Sequence, residues 1–250
     1  MFLSNIKSFD QILTFLVFIT LVLLPVIEVI SRLFSSTGIV ASPVLVQHLT
    51  LWAGFLGAVM ASRRNNLLSL TTKPIFSNTE IIEWKDIIGK ITSIFIVLLL
   101  AYGSWELVKV EMDYPVNIAP FISRWFAQLI MPIGFLFIAI FMFINSFHSV
   151  KQKLTISIFI ILLFSLIIYV EPIQESIFFM WIFISIIILS LYSGAPIFIG
   201  LGGLAILFFW RDFTPLSAIS AETYRIVVSP TLPTIPLFTF AGYILAESNA

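Results

Sequence analysis

Runs of about 20 apolar residues govern what this chain can become. A helix needs roughly that many to cross the hydrocarbon core of a bilayer, and a helix satisfies its own backbone where no water is present. Four such runs come first: Ile12–Phe34, Val44–Ser62, Ile87–Val108 and Ile122–Ile144. A fifth, Leu154–Val170, is shorter but almost uninterrupted. Ile177–Trp210 is apolar apart from Ser-Gly-Ala-Pro at 193–196, which is long for one crossing and tight for two. Pro196 breaks or kinks a helix, so two shorter helices or one bent pair are expected there. Ile235–Ala246 is too short to span alone. The composition agrees: 60% of the 250 residues are hydrophobic, 10% are charged, and the mean hydropathy is +1.10. A water-facing domain carries about 25% charged residues. The expectation is an all-α integral membrane protein with about seven or eight membrane helices. The first run is too long for the apolar part of a secretory signal and is expected to stay as a membrane helix.

Charge orients the runs. Arg63, Arg64, Lys73, Lys85 and Lys90 lie between runs two and three, Lys151 and Lys153 follow run four, and Lys7 precedes run one. The opposite side holds Arg32, Lys109 and Arg124, and the loop Glu-Pro-Ile-Gln-Glu at 171–175 has no positive residue. Positive loops stay cytoplasmic, so the N-terminus is expected inside. Leu154–Val170 then carries the chain outward. The segment 63–90 mixes apolar and charged residues at helical spacing, which suits either a helix lying in the interface or a tethered loop over the mouth of a bundle.

Ionisable groups within membrane runs are the first candidates for function. Glu28 and Arg32 stand four residues apart on one helical face. Such a pair serves as a proton or cation site, or as an ion pair that fixes helix packing, the commoner role. Glu106 and Lys109 repeat the arrangement at the end of the third run. Gln47 and His48 open the second run, where Gly54, Gly57, Ala58 and Ala61 recur at three- and four-residue spacing, a face suited to close helix packing. The absence of cysteine excludes disulfides and thiolate metal sites. Two histidines are too few for a histidine-based metal cluster. The zero net charge gives no basic face for nucleic acid. HExxH, GxSxG and GxxxxGK[ST] are missing, so neither a membrane hydrolase nor an ATP-driven pump is indicated.

The stretch 229–250 carries Pro230, Pro233 and Pro236 ahead of an apolar run with Gly242. Prolines free backbone carbonyls, and such groups are tolerated at membrane depth only against protein or a water-lined cavity. Secondary transporters use interrupted helices of this kind near the midplane. Ser229, Thr231 and Thr234 add hydroxyls. The candidate pathway residues are therefore Ser229, Thr231, Pro233, Thr234, Pro236 and Gly242. A proline-rich surface connection into the next helix fits the same stretch equally well.

Gly-Ala-Pro-Ile-Phe-Ile-Gly-Leu-Gly-Gly from Gly194 and Leu-Pro-Thr-Ile-Pro-Leu-Phe from Leu232, ending at Ala241-Gly242, resemble the start of the large membrane subunit of a tripartite ATP-independent periplasmic (TRAP) transporter. Residues 52–68 and 124–137 resemble its small, four-helix subunit. The resemblance implies a fused chain: a small-subunit domain at 1–150, a fusion helix and outer loop at 151–176, and an incomplete N-terminal part of the large permease subunit at 177–250. It implies import of small organic acids, such as C4-dicarboxylates, across a bacterial inner membrane by a permease driven by a sodium or other ion gradient rather than ATP. The expected partners are an extracytoplasmic substrate-binding protein, the remainder of the large subunit and the lipid bilayer. No cofactor is implied, and the sodium site would lie outside these residues. A non-transporting membrane scaffold for a separately encoded permease is the alternative.

The orientation is directly testable, because the chain has no cysteine of its own. In intact cells Gln174→Cys is expected to react with an impermeant maleimide, and Ser77→Cys only after permeabilisation. The reverse pattern contradicts the charge argument.

Overall fold

The computed structural model describes residues 2–34, 38–39, 41–70, 79–119, 122–147 and 176–229, with parts of 154–160 and 242–247; side chains are described from 11 in the first segment and from 87 in the fourth. The chain runs α1 (Phe2–Phe34), α2 (Ser42–Arg63), α3 (Thr79–Asp113), a small antiparallel hairpin of β1 (Asn117–Ala119) and β2 (Ile122–Ser123), α4 (Arg124–Gln128), α5 (Ile130–Ser146), α6 (Ile177–Tyr192), α7 (Ile197–Arg211) and α8 (Ser217–Val227). Four stretches are long and apolar enough to cross a membrane: Gln11–Phe34, Ser42–Arg63, Ile87–Asp113 and Arg124–Ser146. The all-α membrane fold expected from the apolar runs is present.

Several boundaries differ for identifiable reasons. The fourth run does not begin as helix at Ile122, because Ile122 and Ser123 pair back to 117–119 in the hairpin, and helix starts only at Arg124. Its interruption at Leu129 falls three residues before Pro132, which has no N–H to give the carbonyl of Gln128. Segment 79–90 is not a separate interfacial helix: it is the first part of α3. Ile177–Trp210 does divide at 193–196. Gly194 takes φ 91°, a left-handed value that suits glycine at a helix end, and Ala195 N donates to Ser190 O at 3.0 Å. Pro196 then leads into α7. With 16 and 15 residues, α6 and α7 are each shorter than the roughly 20 that a full crossing takes.

At the centre stands α3, packed on α5, α6, α7 and α8. Its buried Ile96, Val97, Leu99 and Leu100 meet Ile138 and Phe141 of α5, Ile187 of α6, Ile199 and Ile206 of α7 and Ile219 of α8 in one core. A second core joins Val17 of α1 to Leu51 and Leu56 of α2 and to Ile130 and Met131 of α5, with Tyr224 and Val227 of α8 against it. Ile156 and Ile160 are buried against Ile94 and Phe147, so the described part of the fifth run lies beside α3. By contrast, most apolar side chains of α1 point outward, Phe15 and Val22 among them, as a lipid-facing helix requires.

Close backbone approach is concentrated on α3. A Cβ on Gly103 would stand 2.7 Å from the carbonyl oxygen of Leu216, just before α8. The small-residue face expected on α2 is used differently. Gly54 and Gly57 have no atom within 4 Å of where a Cβ would stand, while Ala58 packs on the main core. Leu51, Ala53, Leu56 and Val59 supply the buried face of α2 instead. Spacing puts small residues on one face, but it does not decide which face meets a neighbour within the same chain.

Gly103→Ala is therefore expected to destabilise the purified protein by about 1–3 kcal/mol, seen as a lower thermal midpoint in detergent. Gly54→Ala is expected to be neutral or to stabilise by up to about 1 kcal/mol, the ordinary helical gain of alanine over glycine. Equal effects at both positions contradict the packing described.

Candidate functional site

Polar groups at membrane depth in a bundle this apolar are expected to be partnered or functional. Among the described residues they gather at the hairpin end, where α8 meets α2 and α3. His48 is buried on α2, and its Nδ1 lies 2.7 Å from the carbonyl oxygen of Val44, one turn earlier. A carbonyl only accepts, so Nδ1 carries a proton. In the neutral ring Nε2 is then an acceptor, and the Tyr224 hydroxyl donates to it at 2.6 Å. The two rings are tilted by 55°, with centroids 5.7 Å apart.

One turn back along α8 a second polar contact is buried completely. Ser104 of α3 donates its hydroxyl proton to Leu100 O at 2.7 Å. Its oxygen is left as the acceptor for Ser220, 2.9 Å away. A further turn back is Leu216, whose carbonyl closes on Gly103. Leu216, Ser220 and Tyr224 are four apart and share one side, which meets Gly103, Ser104 and His48. The helix is thus seated by a small residue, a hydroxyl pair and a ring pair, with only Ile219 buried in the main core.

Around this seam the scaffold is tied to itself. Arg124 Nε donates to Glu111 Oε2 at 2.9 Å, joining the start of α4 to the end of α3. The Arg124 charge acts on both His48 and Tyr224, and that of Glu111 on Tyr224. Trp52 Nε1 donates to Ala127 O at 2.9 Å, holding α2 to α4. At the opposite end Asn145 donates to Ser62 O at 3.0 Å, and Ile197 N donates to Leu68 O at 2.9 Å. The arrangement joins helices. Among the described residues no three His, Asp or Glu side chains come together to hold a metal.

The residues singled out from sequence fare unequally. Glu28 and Arg32 do form an ion pair, with the carboxylate buried and the guanidinium largely exposed. Gly38 sits against both, a built Cβ falling 2.9 Å from Arg32 Nε, so the pair rests on the turn into α2. Glu106 and Lys109 are not paired with each other: Glu106 accepts from Tyr102 at 2.6 Å, and Lys109 lies over the Trp105 ring. Tyr102 is the i−4 neighbour and offers a direct donor, while the ammonium finds an aromatic face within one turn. Ser229 closes α8, its N donating to Ile226 O at 3.1 Å. Gly242 has open space where a side chain would be. Thr231, Pro233, Thr234 and Pro236 lie outside the described residues.

Sequence reasoning missed Tyr224, Ser104 and Ser220 altogether and saw His48 only as the start of a run. The partners are 176 and 116 residues apart, beyond any local spacing rule. The available signal was the appearance of single polar residues within apolar helices, where each needs a partner.

A multi-pass helical bundle, organised on a central helix and knit by polar contacts at one end, is the architecture of a membrane component rather than of a soluble domain. The family model of the DctQ component of tripartite ATP-independent periplasmic transporters matches residues 21–152, just over half of the chain. The chain belongs to this family, and is a membrane component of a TRAP transporter. The family consists of transporter components, not enzymes, and works with a substrate-binding protein and a large membrane subunit. No curated protein matches the chain.

Removing the hydroxyls tests the seam. In a double-mutant cycle of Ser104→Ala and Ser220→Ala, a coupling of about 0.5–1.5 kcal/mol is expected from denaturation midpoints. Additive single effects contradict the buried hydroxyl pair.

Proposed function

We propose that the chain is a fused membrane subunit of a binding-protein-dependent secondary importer. Residues 1–150 act as the small-subunit scaffold, 151–176 as the fusion segment and outer loop, and 177–250 as the beginning of the large permease subunit. The substrate class is small organic acids, such as C4-dicarboxylates, and the driving force is a sodium or other ion gradient rather than ATP. The observation that carries this reading is the docking of α6, α7 and α8 onto α3. These three helices lie beyond the family-matched segment and yet pack into the same body, which supports a second, covalently joined subunit. The stretches that resemble the large subunit, from Gly194 and from Leu232, fall on them and just beyond them in sequence. The N-terminus is cytoplasmic in this reading. Arg63, Arg64 and Lys90 lie at the end opposite the hairpin, where the positive-inside rule puts the cytoplasm.

Within this scheme a binding protein delivers the acid to the hairpin side. The proline-rich stretch with Ser229, Thr231, Thr234, Pro233 and Pro236 leads into the permease machinery, where helix ends and freed backbone groups suit a carboxylate and its coupling ion. Gly242 lies on the helix entered next.

In cells deleted for this gene, uptake of a labelled C4-dicarboxylate is expected to fall, and to return with the wild-type gene when its binding protein is present. Collapsing the sodium gradient is expected to abolish the restored uptake, whereas depleting ATP with the gradient held is not. Uptake unaffected by deletion contradicts the importer, and uptake restored by this chain alone with an intact binding protein contradicts the scaffold reading. Uptake that follows ATP contradicts the coupling.

A further inference from the structure

We propose that His48 is a proton-binding site whose occupancy sets how firmly α8 docks on α2. This goes beyond the transport reading and does not depend on it. Two bonds define the ring's state. Nδ1–H is committed to the carbonyl of Val44, and Nε2 accepts from Tyr224. Nε2 is the one ring position left for a second proton. Once protonated it becomes a donor, and the Tyr224 hydroxyl, whose pKa burial pushes up to about 12, faces it with its own proton. The tyrosine must turn to offer a lone pair, and its O–H then has no other acceptor among the described residues. One proton thus reverses the contact between the two helices and turns the O–H of the half-buried tyrosine away from the ring.

The surroundings amplify the change. His48 is 6% exposed, so a charge there is poorly screened by water. Arg124 of α4 already bears on the ring with the same sign, held by Glu111 of α3. From α1 the described charged groups are Glu28 and Arg32, closed on each other. From α8 come Tyr224 itself and the Glu222–Arg225 pair, at 2.6 Å. Neither α5 nor β1 has a titratable side chain. Among these groups no carboxylate contacts the ring to take up the new charge. Histidine is the side chain whose ordinary titration falls between about pH 5 and 8, and α8 leads directly to Ser229 and the proline-rich stretch.

Two measurements on the full chain in lipid nanodiscs test this. The first uses 15N-histidine with His148→Gln, which leaves His48 as the single histidine. At pH 8 the ring is expected to carry its proton on Nδ1, and at pH 5 on both nitrogens. A ring protonated on Nε2 alone at pH 8, or one still neutral at pH 5, overturns the proposal. The second is amide exchange of 217–227 compared with His48→Gln at matched pH, which cancels the intrinsic pH dependence of exchange. From pH 8 to pH 5 the wild-type rate is expected to rise roughly threefold to tenfold relative to the variant, the equilibrium weight of one hydrogen bond. A flat ratio overturns the proposal. Should His48→Gln not fold, Tyr224→Phe serves as the reference. The wild type is then expected to exchange more slowly than Tyr224→Phe at pH 8 and equally at pH 5, and a difference that persists unchanged at pH 5 overturns the proposal.

Discussion

Between helices in lipid, apolar packing gains little from excluding water, since the acyl chains are as apolar as the side chains they replace. Helices stay together through close approach and through polar groups that find no other partner. The structure depends on one helix that offers both. Along α3, Gly103 lets the chain before α8 come into backbone contact, and Ser104 beside it supplies a buried hydroxyl. Ile96 to Leu100 fill the space between α5, α6 and α7. The helices α6, α7 and α8, beyond the family-matched segment, are all positioned from α3, and α2 adds His48 at the end of α8.

How much of this was legible depended on the range of the interaction. Membrane helices are encoded by length and apolarity over about 20 residues, so the four long crossings could be read directly. The division at Gly194 and Pro196 was legible because a left-handed turn and a missing N–H act on the residues beside them. The start of the fourth helix was not: Ile122 is as apolar as the helix beyond it, and only its pairing with 117–119 makes it strand. Glu28 and Arg32 could be paired from sequence because they lie one turn apart on one helix. Glu106 and Lys109 have similar spacing but take Tyr102 and Trp105 as partners instead, a competition that spacing alone does not weigh. His48–Tyr224 and Ser104–Ser220 join residues 176 and 116 positions apart, and only the packed helices bring them together. Gly54 and Gly57 illustrate the converse, a local pattern with no partner among the described residues.

Membership of the DctQ family makes the chain a membrane component of a TRAP system. The seam gives α2 and α3 a physical means of holding α8. Contacts of α6 and α7 with α3 are mainly apolar, whereas the hydroxyl and ring contacts of α8 are directional and tolerate little sliding. A helix fixed in that way has its position set at three successive turns, by Leu216 on Gly103, Ser220 on Ser104 and Tyr224 on His48.

The central claim is that α8 is seated on α3 within the same chain, and the absence of native cysteine makes it accessible to a single measurement. Ser104→Cys and Ser220→Cys in one chain would carry the only two thiols, at positions whose oxygens lie 2.9 Å apart. Mild oxidation in native membranes is predicted to close an intramolecular disulfide in most molecules, detected after cleavage at a protease site inserted between α5 and α6 as two fragments that separate only on reduction. Fragments that separate without reduction, or cross-links found only between chains, would contradict the account.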